Sequence, residues 1–295
     1  MKVIMRNALL LVSLLFSSAV TFATPNAEIT QVKNNIYYIV SPKGGNVAVS
    51  IGRDGVFVID DQLTSRNKVI EHAIKSVTDR NVSFVLNTHY HYDHTGGNEH
   101  FGKKDAVIVA HENVRKRISA KQFITFFKKE LPALSKVGLP VITFEKDITF
   151  HYNDDTIKVI YLPDAHTDGD SAAYFKNENV IVTGDTVFNG RYPFIDVEHG
   201  GTIQGLISAV DTLLALTNVE TTIVPGHGLL MNKQDLLAYR KVLTTVASSV
   251  APLVKQGKTL GEVLAAKPSK AFDSVYGNDI ISADAFVTFV YQSLK

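Results

Sequence analysis

Between Thr88 and Gly97 the chain reads Thr-His-Tyr-His-Tyr-Asp-His-Thr-Gly-Gly. Three imidazoles and a carboxylate fall within positions 89–94, in a chain that has 10 histidines in all. Chance clustering on a surface rarely reaches that density. Imidazole nitrogen and carboxylate oxygen together suit zinc, ahead of iron or manganese. At strand spacing His89 and His91 point to the same side and can grip one metal ion. Asp93 and His94 follow where the chain begins to turn, and can face a second ion. Gly96 and Gly97 are expected to let the backbone turn tightly beneath the site. Tyr90 and Tyr92, between the ligands, read as packing residues on the opposite face.

The H-x-H-x-D-H run resembles the signature of the metallo-β-lactamase superfamily. Further pieces of that pattern follow in order. His166 lies in Ala165-His166-Thr167-Asp168-Gly169-Asp170-Ser171, Asp185 in Thr183-Gly184-Asp185-Thr186, and His227 in Pro225-Gly226-His227-Gly228. The resemblance spans about residues 30 to 230. It implies an α/β fold, an αββα sandwich of two β-sheets flanked by helices, with metals at one sheet edge. It implies two zinc ions per chain. His89, His91 and His166 would bind the first, Asp93, His94 and His227 the second, and Asp185 would bridge them. Asp168 and Asp170 read as partners that orient ligand imidazoles. Arg191, Tyr192 and His199, in the loop after Asp185, are candidate substrate contacts. His72, His100, His111 and His151 lie outside the ligand pattern.

These residues need strands to hold them. Ile36 to Val40, Val47 to Ile51 and Val56 to Ile59 are short β-branched and aromatic runs separated by glycine-containing turns. Val82 to Leu86 predicts a buried strand that delivers the histidine motif. Ala106 to Ala110, Ile148 to His151, Thr156 to Leu162, Ala172 to Phe175, Val180 to Thr183 and Thr221 to Val224 predict further strands. Helical spacing appears over Ser65 to Val77, near Asn98, and over Gly205 to Leu216 and Gln234 to Val250. Two short helices, Leu260 to Ala265 and Ala283 to Leu294, close the chain, and residues 112–136 read as helical in pieces. Strands followed by a helix occur twice, which suggests two similar halves packed sheet against sheet.

Composition bounds the function. The 295 residues hold 30 Lys and Arg against 29 Asp and Glu. That balance gives no electrostatic case for nucleic acid. There are no cysteines, which excludes thiol nucleophiles, thiolate metal sites and iron–sulfur clusters. Lys2 and Arg6 precede an apolar stretch from Ala8 to Val20 and then Thr21-Phe22-Ala23. That is the layout of a signal peptide over residues 1–23, and the run falls short of the ~20 residues that cross a bilayer. The expectation is a secreted or periplasmic protein, cleaved after Ala23, without stable membrane insertion. Residues 24–295 would form one domain, with a C-terminal helical extension after about Ala251 that has no assigned role.

The expected partner is a small-molecule substrate. Two zinc ions about 3.5–4 Å apart can share a water and lower its pKa toward about 7. The expected reaction is attack of that water on a carbonyl carbon of an amide or lactam, a lactone or ester, or a thioester, with Asp93 as the catalytic carboxylate. No G-x-S-x-G elbow or phosphate-binding loop offers another chemistry. Aspartate at 185 resembles the glyoxalase II-like and general hydrolase members, whereas the best-known β-lactamase branches carry cysteine or serine there. The lysine that some β-lactamases place three residues on is Phe188 here, with Arg191 the nearest substitute, so β-lactamase-like turnover is one activity among several. Two other readings are an exported zinc-binding protein without turnover and an oxidative enzyme with a single iron.

Overall fold

The chain was analysed as a computed structural model that describes residues 27–40 and 44–295. The basic head, the apolar stretch and the expected cleavage point lie outside the described residues. A seven-stranded sheet runs in the order β1 (Glu28–Gln31), β2 (Ile36–Val40), β3 (Val47–Gly52), β4 (Gly55–Ile59), β5 (Val82–Asn87), β6 (Val107–His111) and β9 (Ile142–Phe144), and β7 (Gln122–Ile124) pairs with β8 (Lys129–Leu131) as a separate hairpin. A five-stranded sheet holds β10 (Asp147–Tyr152), β11 (Asp155–Tyr161), β12 (Ser171–Phe175), β13 (Val180–Val182) and β14 (Thr222–Val224) in chain order.

Strand β4 shows why the layers stack. All five of its residues are buried. Successive side chains of a strand point to opposite faces. Phe57 and Ile59 therefore meet the second sheet, while Val56 and Val58 meet the helices outside. Those helices are α1 (Asn67–Lys75) and α3 (Asn98–Gly102), with Ile70, Ile74 and Phe101 on the packed faces, while the short α2 (Tyr92–Thr95) lies within the histidine motif. Beyond α4 (Glu112–Ile118), the outer face of the second sheet is covered by α5 (Ile203–Leu216), α6 (Lys233–Lys255), α7 (Leu260–Ala265), α8 (Asp273–Tyr276) and α9 (Ala283–Leu294). The order is helix, sheet, sheet, helix, as the resemblance implied. Among the described residues no helix is long and apolar enough to cross a membrane.

The structure departs from the sequence reading between 112 and 136. Helix α4 stops at Ile118, and the β7–β8 hairpin follows. Its residues alternate at a period of two, with Ile124 and Leu131 buried and Phe123 and Glu130 exposed. Lys128 adopts a positive φ of 50° at the turn. The basic residues of this stretch divide between α4, which carries Arg115, Lys116 and Arg117, and the hairpin, whose Lys129 turns to the Tyr92 ring. The C-terminal segment also packs more closely than expected: α6 contacts α9, and Phe286 and Val290 join the same core as Leu206 and Val246.

Phe57 ties the sheets together. Its ring lies edge-on to Phe150 at 5.0 Å and within 6.0 Å of Tyr152, both on the second sheet. A Phe57→Ala variant should lose about 3–5 kcal/mol of stability. Urea unfolding would measure it, and a loss below about 1 kcal/mol would show that this contact does not join the layers.

Candidate metal centre

Strands β11 and β13 run in one direction because each is antiparallel to β12, and β14 is parallel to β13. Their C-terminal ends share one edge. The loops that leave it carry His166, Asp185 and His227. Strands β4 and β5 are also parallel, and their ends carry Asp60 and the 89–94 motif. The seven residues expected as ligands thus come from both sheets and meet in one place. Donor atoms of His89, His91, His166 and Asp185 lie within 4.8 Å of one another, as do those of Asp93, His94 and His227. The Asp185 carboxylate stands between the groups. Its oxygens lie 3.1 Å from His94 Nε2, 3.3 Å from His227 Nε2, 3.6 Å from His166 Nε2 and 3.8 Å from His89 Nε2.

Asp60 sets two of the imidazoles. Its carboxylate accepts from the Thr88 amide and from the Thr88 hydroxyl, each at 2.7 Å, and lies 2.7 Å from His94 Nδ1. The Thr88 proton is thereby committed to Asp60. The Thr88 oxygen is left to accept from His89 Nδ1 at 3.0 Å. Both His89 and His94 then present Nε2 to the centre. Asp60 sits at a positive φ of 59°, a conformation that costs of order 1–3 kcal/mol.

Two other groups set the remaining pair. His166 Nδ1 donates to the Phe194 carbonyl at 2.8 Å, since a carbonyl can only accept. His91 Nε2 lies 2.9 Å from Asp196, which also accepts from the Tyr90 hydroxyl at 2.5 Å and pairs with His199 Nδ1 at 2.8 Å. Hence His91 Nδ1 and His166 Nε2 carry lone pairs, and they face each other across 2.8 Å. Two lone pairs cannot hydrogen-bond to each other. His89 Nε2 and Asp185 Oδ1 are buried with no hydrogen-bond partner. Four acceptors converging without a donor fit a bound cation.

Protonation of His89 and His166 agrees with that geometry, whereas for His94 burial is outweighed by the Asp185 and Asp60 carboxylates, which raise its imidazole well above the ordinary pKa. Burial, and then the His94 charge, hold the His89 imidazole well below its ordinary pKa. Burial, and then His91, push His166 down to about 4. Both rings are therefore neutral at pH 7, as metal ligands must be. Burial opposes ionisation of Asp185, but the surrounding imidazoles, His227 foremost, outweigh it and keep the carboxylate charged.

The backbone is drawn close beneath the site. Gly96 and Gly97 both have negative φ, so a tight turn is not what requires glycine there. Close approach is: a Cβ on Gly96 would meet the backbone of Gln62 and Thr64, and one on Gly97 would meet Asp61. Gly226 leaves room in the same way for the Asp185 carboxylate.

Several residues differ from their sequence reading. Asp168 pairs with Arg117 at 2.6 Å and touches no ligand imidazole. Asp170 accepts from the backbone amides of His166 and Thr167, and so fixes the loop rather than a ring. Tyr90 is not on an opposite face, because its hydroxyl joins the Asp196 network. The substrate candidates divide. Arg191 lines the cavity beside the centre and pairs with Asp279 at 3.0 Å. Tyr192 also lines it, but its hydroxyl is committed to Asp273 at 2.9 Å and the Ser269 carbonyl at 3.2 Å. His199 is not among the lining residues and turns instead to Asp196. Sequence reasoning missed Asp60 and Asp196. The only signal for Asp60 was a carboxylate pair closing an apolar strand, Gly55-Val56-Phe57-Val58-Ile59-Asp60-Asp61.

The cavity has a volume of about 580 Å³. His91, Asp93, Asp185 and His227 form its floor. Phe188, stacked on the His227 ring at 5.3 Å, and Phe194 are among the side chains that wall it. The extension after Ala251 is part of the wall, through Asp279, Ile280 and Ile281.

A family model described as the metallo-beta-lactamase superfamily matches residues 40–227. The chain belongs to the metallo-beta-lactamase superfamily. Within that superfamily it is 29% identical over 161 residues to a hydroxyacylglutathione hydrolase of Pelagibacter ubique, covering 54% of this chain and 53% of that protein. It is 28% identical over 176 residues to another from Polaromonas, covering 59% of each. The chain therefore spans little more than half the length of these curated relatives. Among solved structures, a metallo-beta-lactamase from Pontibacter korlensis superposes with a TM-score of 0.62 at 18% identity, covering 74% of this chain and 99% of that one. The sec-alkylsulfatase Pisa1 from Pseudomonas gives 0.66 at 14% identity over 90% of this chain and 50% of its own. At these identities the likeness is one of fold.

The role of Asp196 can be tested by Asp196→Asn. An amide that donates to His91 Nε2 would drive the ring proton to Nδ1, the atom that faces the centre. Zinc affinity should fall about 10–100-fold with the fold retained, as read by competition with a chromophoric chelator. Unchanged affinity would mean that His91 is oriented by other contacts.

Proposed function

We propose that the protein is a dinuclear zinc hydrolase that cleaves a carbonyl bond of a small molecule, and that it acts outside the cytoplasm after removal of its first 23 residues. The carrying observation is the convergence of bare imidazole nitrogens and the Asp185 carboxylate on the floor of one cavity. His89, His91 and His166 would hold one ion and Asp93, His94 and His227 the other, with the Asp185 carboxylate standing between the two groups. Zinc bound there supplies Lewis acidity and makes water available as a nucleophile near neutral pH. The names of the two hydroxyacylglutathione hydrolases support hydrolysis as the reaction class. The basic head and apolar stretch at the start of the chain support export.

The chain's own residues do the rest. Asp93 faces the cavity with its Oδ2 3.5 Å from His227 Nε2 and 3.8 Å from His94 Nε2. With Oδ2 given to the ion, the other carboxylate oxygen of Asp93 would orient the attacking water, accept its proton and return it to the leaving group. Phe188 and Phe194 keep bulk water from the reacting carbonyl, which strengthens every charge interaction on the floor. Asp60 and Asp196 hold three ligand rings in the tautomers that the metals require. The near-balanced charge of the chain and the volume of the cavity, about 580 Å³, fit a small substrate rather than nucleic acid.

Metal analysis of the purified protein, paired with hydrolysis of a β-lactam, a lactone and a thioester, tests the reading. Two zinc ions per chain and turnover of one substrate are expected, and a chelator should abolish the activity. Asp93→Ala should lower kcat at least about 100-fold while thermal unfolding stays cooperative. Near-normal turnover in that variant would sink the assignment of Asp93. One iron per chain would point to an oxidative enzyme, and bound zinc without turnover to a zinc-binding protein.

A further inference from the structure

Folded chains seldom leave large apolar side chains in water at one spot without a use for them. Here three such residues gather at the mouth of the cavity. Phe127 is 37% exposed, Leu229 69% and Ile280 73%, and all three line it. They come from separate parts of the chain: the tip of the β7–β8 hairpin, the loop just after His227, and the loop before α9. Each segment is anchored independently. Ile124 sinks the hairpin into the core, the Asn189 side chain donates to the Leu229 carbonyl at 3.0 Å, and Asp279 is paired with Arg191.

The apolar surface continues inward. Behind the rim lie Ile124, Ile281, Phe194 and Phe188, all buried. Phe194 reaches within 5.7 Å of the His91 and His166 rings, and Phe188 stacks on His227. Apolar side chains thus line the cavity from its mouth to the rings of His91, His166 and His227, with Lys129, Arg191 and Asp279 beside them. The charges beside it are largely answered within the protein. Arg191 is neutralised by Asp279, and Lys129 Nζ sits 3.3 Å from the centre of the Tyr92 ring. The patch is concave and ends on the reactive floor, which suits an extended ligand better than a flat partner surface.

We propose that the substrate carries a linear aliphatic chain of medium length on its scissile carbonyl, and that Phe127, Leu229 and Ile280 hold the far end of that chain at the cavity mouth. This rests on the hydrolase reading above. The substrate class is an acyl ester or acyl thioester. Water supplies a hydroxyl to the acyl carbon as the bond to oxygen or sulfur breaks, and a proton to the leaving group, giving an aliphatic carboxylate and an alcohol or thiol. The three rim residues are specificity-determining and take no part in the chemistry.

A series of p-nitrophenyl esters from acetate through butyrate and hexanoate to octanoate, kept below micellar concentration with the zinc-loaded protein, reads the proposal directly. In the wild type kcat/KM should rise by up to about fourfold per added methylene, carried mainly by KM. Ile280→Asp and Leu229→Asp should flatten that slope, read within each variant as the ratio of its octanoate to its acetate kcat/KM, so that any change in the acetate rate itself cancels. Ile280→Leu should restore the slope. A flat series in the wild type, or a slope that survives both aspartate variants, overturns the proposal. So does a slope that survives while the aspartates change the mass in solution, which would assign the rim to contact with a second copy. If no ester is turned over, the ester chemistry fails while the hydrolase reading is decided by the β-lactam, lactone and thioester, and calorimetric binding of 1-hexanol and 1-octanol still decides the rim. Tighter binding of the longer alcohol by wild type, lost in Ile280→Asp, supports it; no binding overturns it.

Discussion

One carboxylate governs the centre. Asp60 was not expected in either ligand set, yet its donor atoms stand within 4.8 Å of those of His89 and His94, and its oxygens hold Thr88 at two points and His94 at a third. Through the Thr88 hydroxyl it also dictates which nitrogen of His89 bears the proton. A buried carboxylate is costly unless every lone pair is answered, and here the answering donors are those that the site must orient. Burial raises the Asp60 pKa even against the nearby His94 charge. The site is thus built around a group that the fold tolerates only because the ligands surround it.

The two sheets supply what one could not. A single sheet edge presents its loops in a row, whereas facing edges let loops converge from opposite sides. The 88–97 loop is clamped to the first sheet by the amides of Gly96 and Gly97, which donate to Gln62 and Asp61. It is joined to the second sheet by the Ser171 amide, which donates to the Thr88 carbonyl at 2.8 Å. The C-terminal helices complete the arrangement from outside. They anchor Tyr192, and with it the loop whose Phe194 carbonyl orients His166.

The cluster of candidate ligands stood out in the sequence because metal binding demands rare residue types at short separation. The strands that carry them were legible for the same reason of pattern: Val56 to Ile59 and Val82 to Leu86 have few polar residues to place. What could not be read were the partners at long range. Asp60 and His94 are 34 positions apart, and Asp196 and His91 are 105 apart. A lone aspartate after an apolar run looks like any turn residue, and only the approach of two sheets brings it to an imidazole. Proximity misled in the opposite direction for Asp168 and Asp170, which flank His166 in sequence but serve Arg117 and the backbone. The β7–β8 hairpin was obscured because its strands are three residues each, too short for an alternation to stand out.

The chain has no cysteine, yet its donor atoms come from both halves of the sandwich, residues 89–94 on one sheet and 166, 185 and 227 on the other. A cation held among them would be a covalent-strength staple across the molecule. A disulfide closing a loop on the order of 100 residues is worth about 4–5 kcal/mol through the entropy that it removes from the unfolded chain, and coordination spanning positions 89 to 227 would act on the unfolded ensemble in the same manner. The cross-link in such a protein answers to chelators where others answer to reductants, and the supply of metal ion, not the redox state of its surroundings, would set how long the folded chain survives.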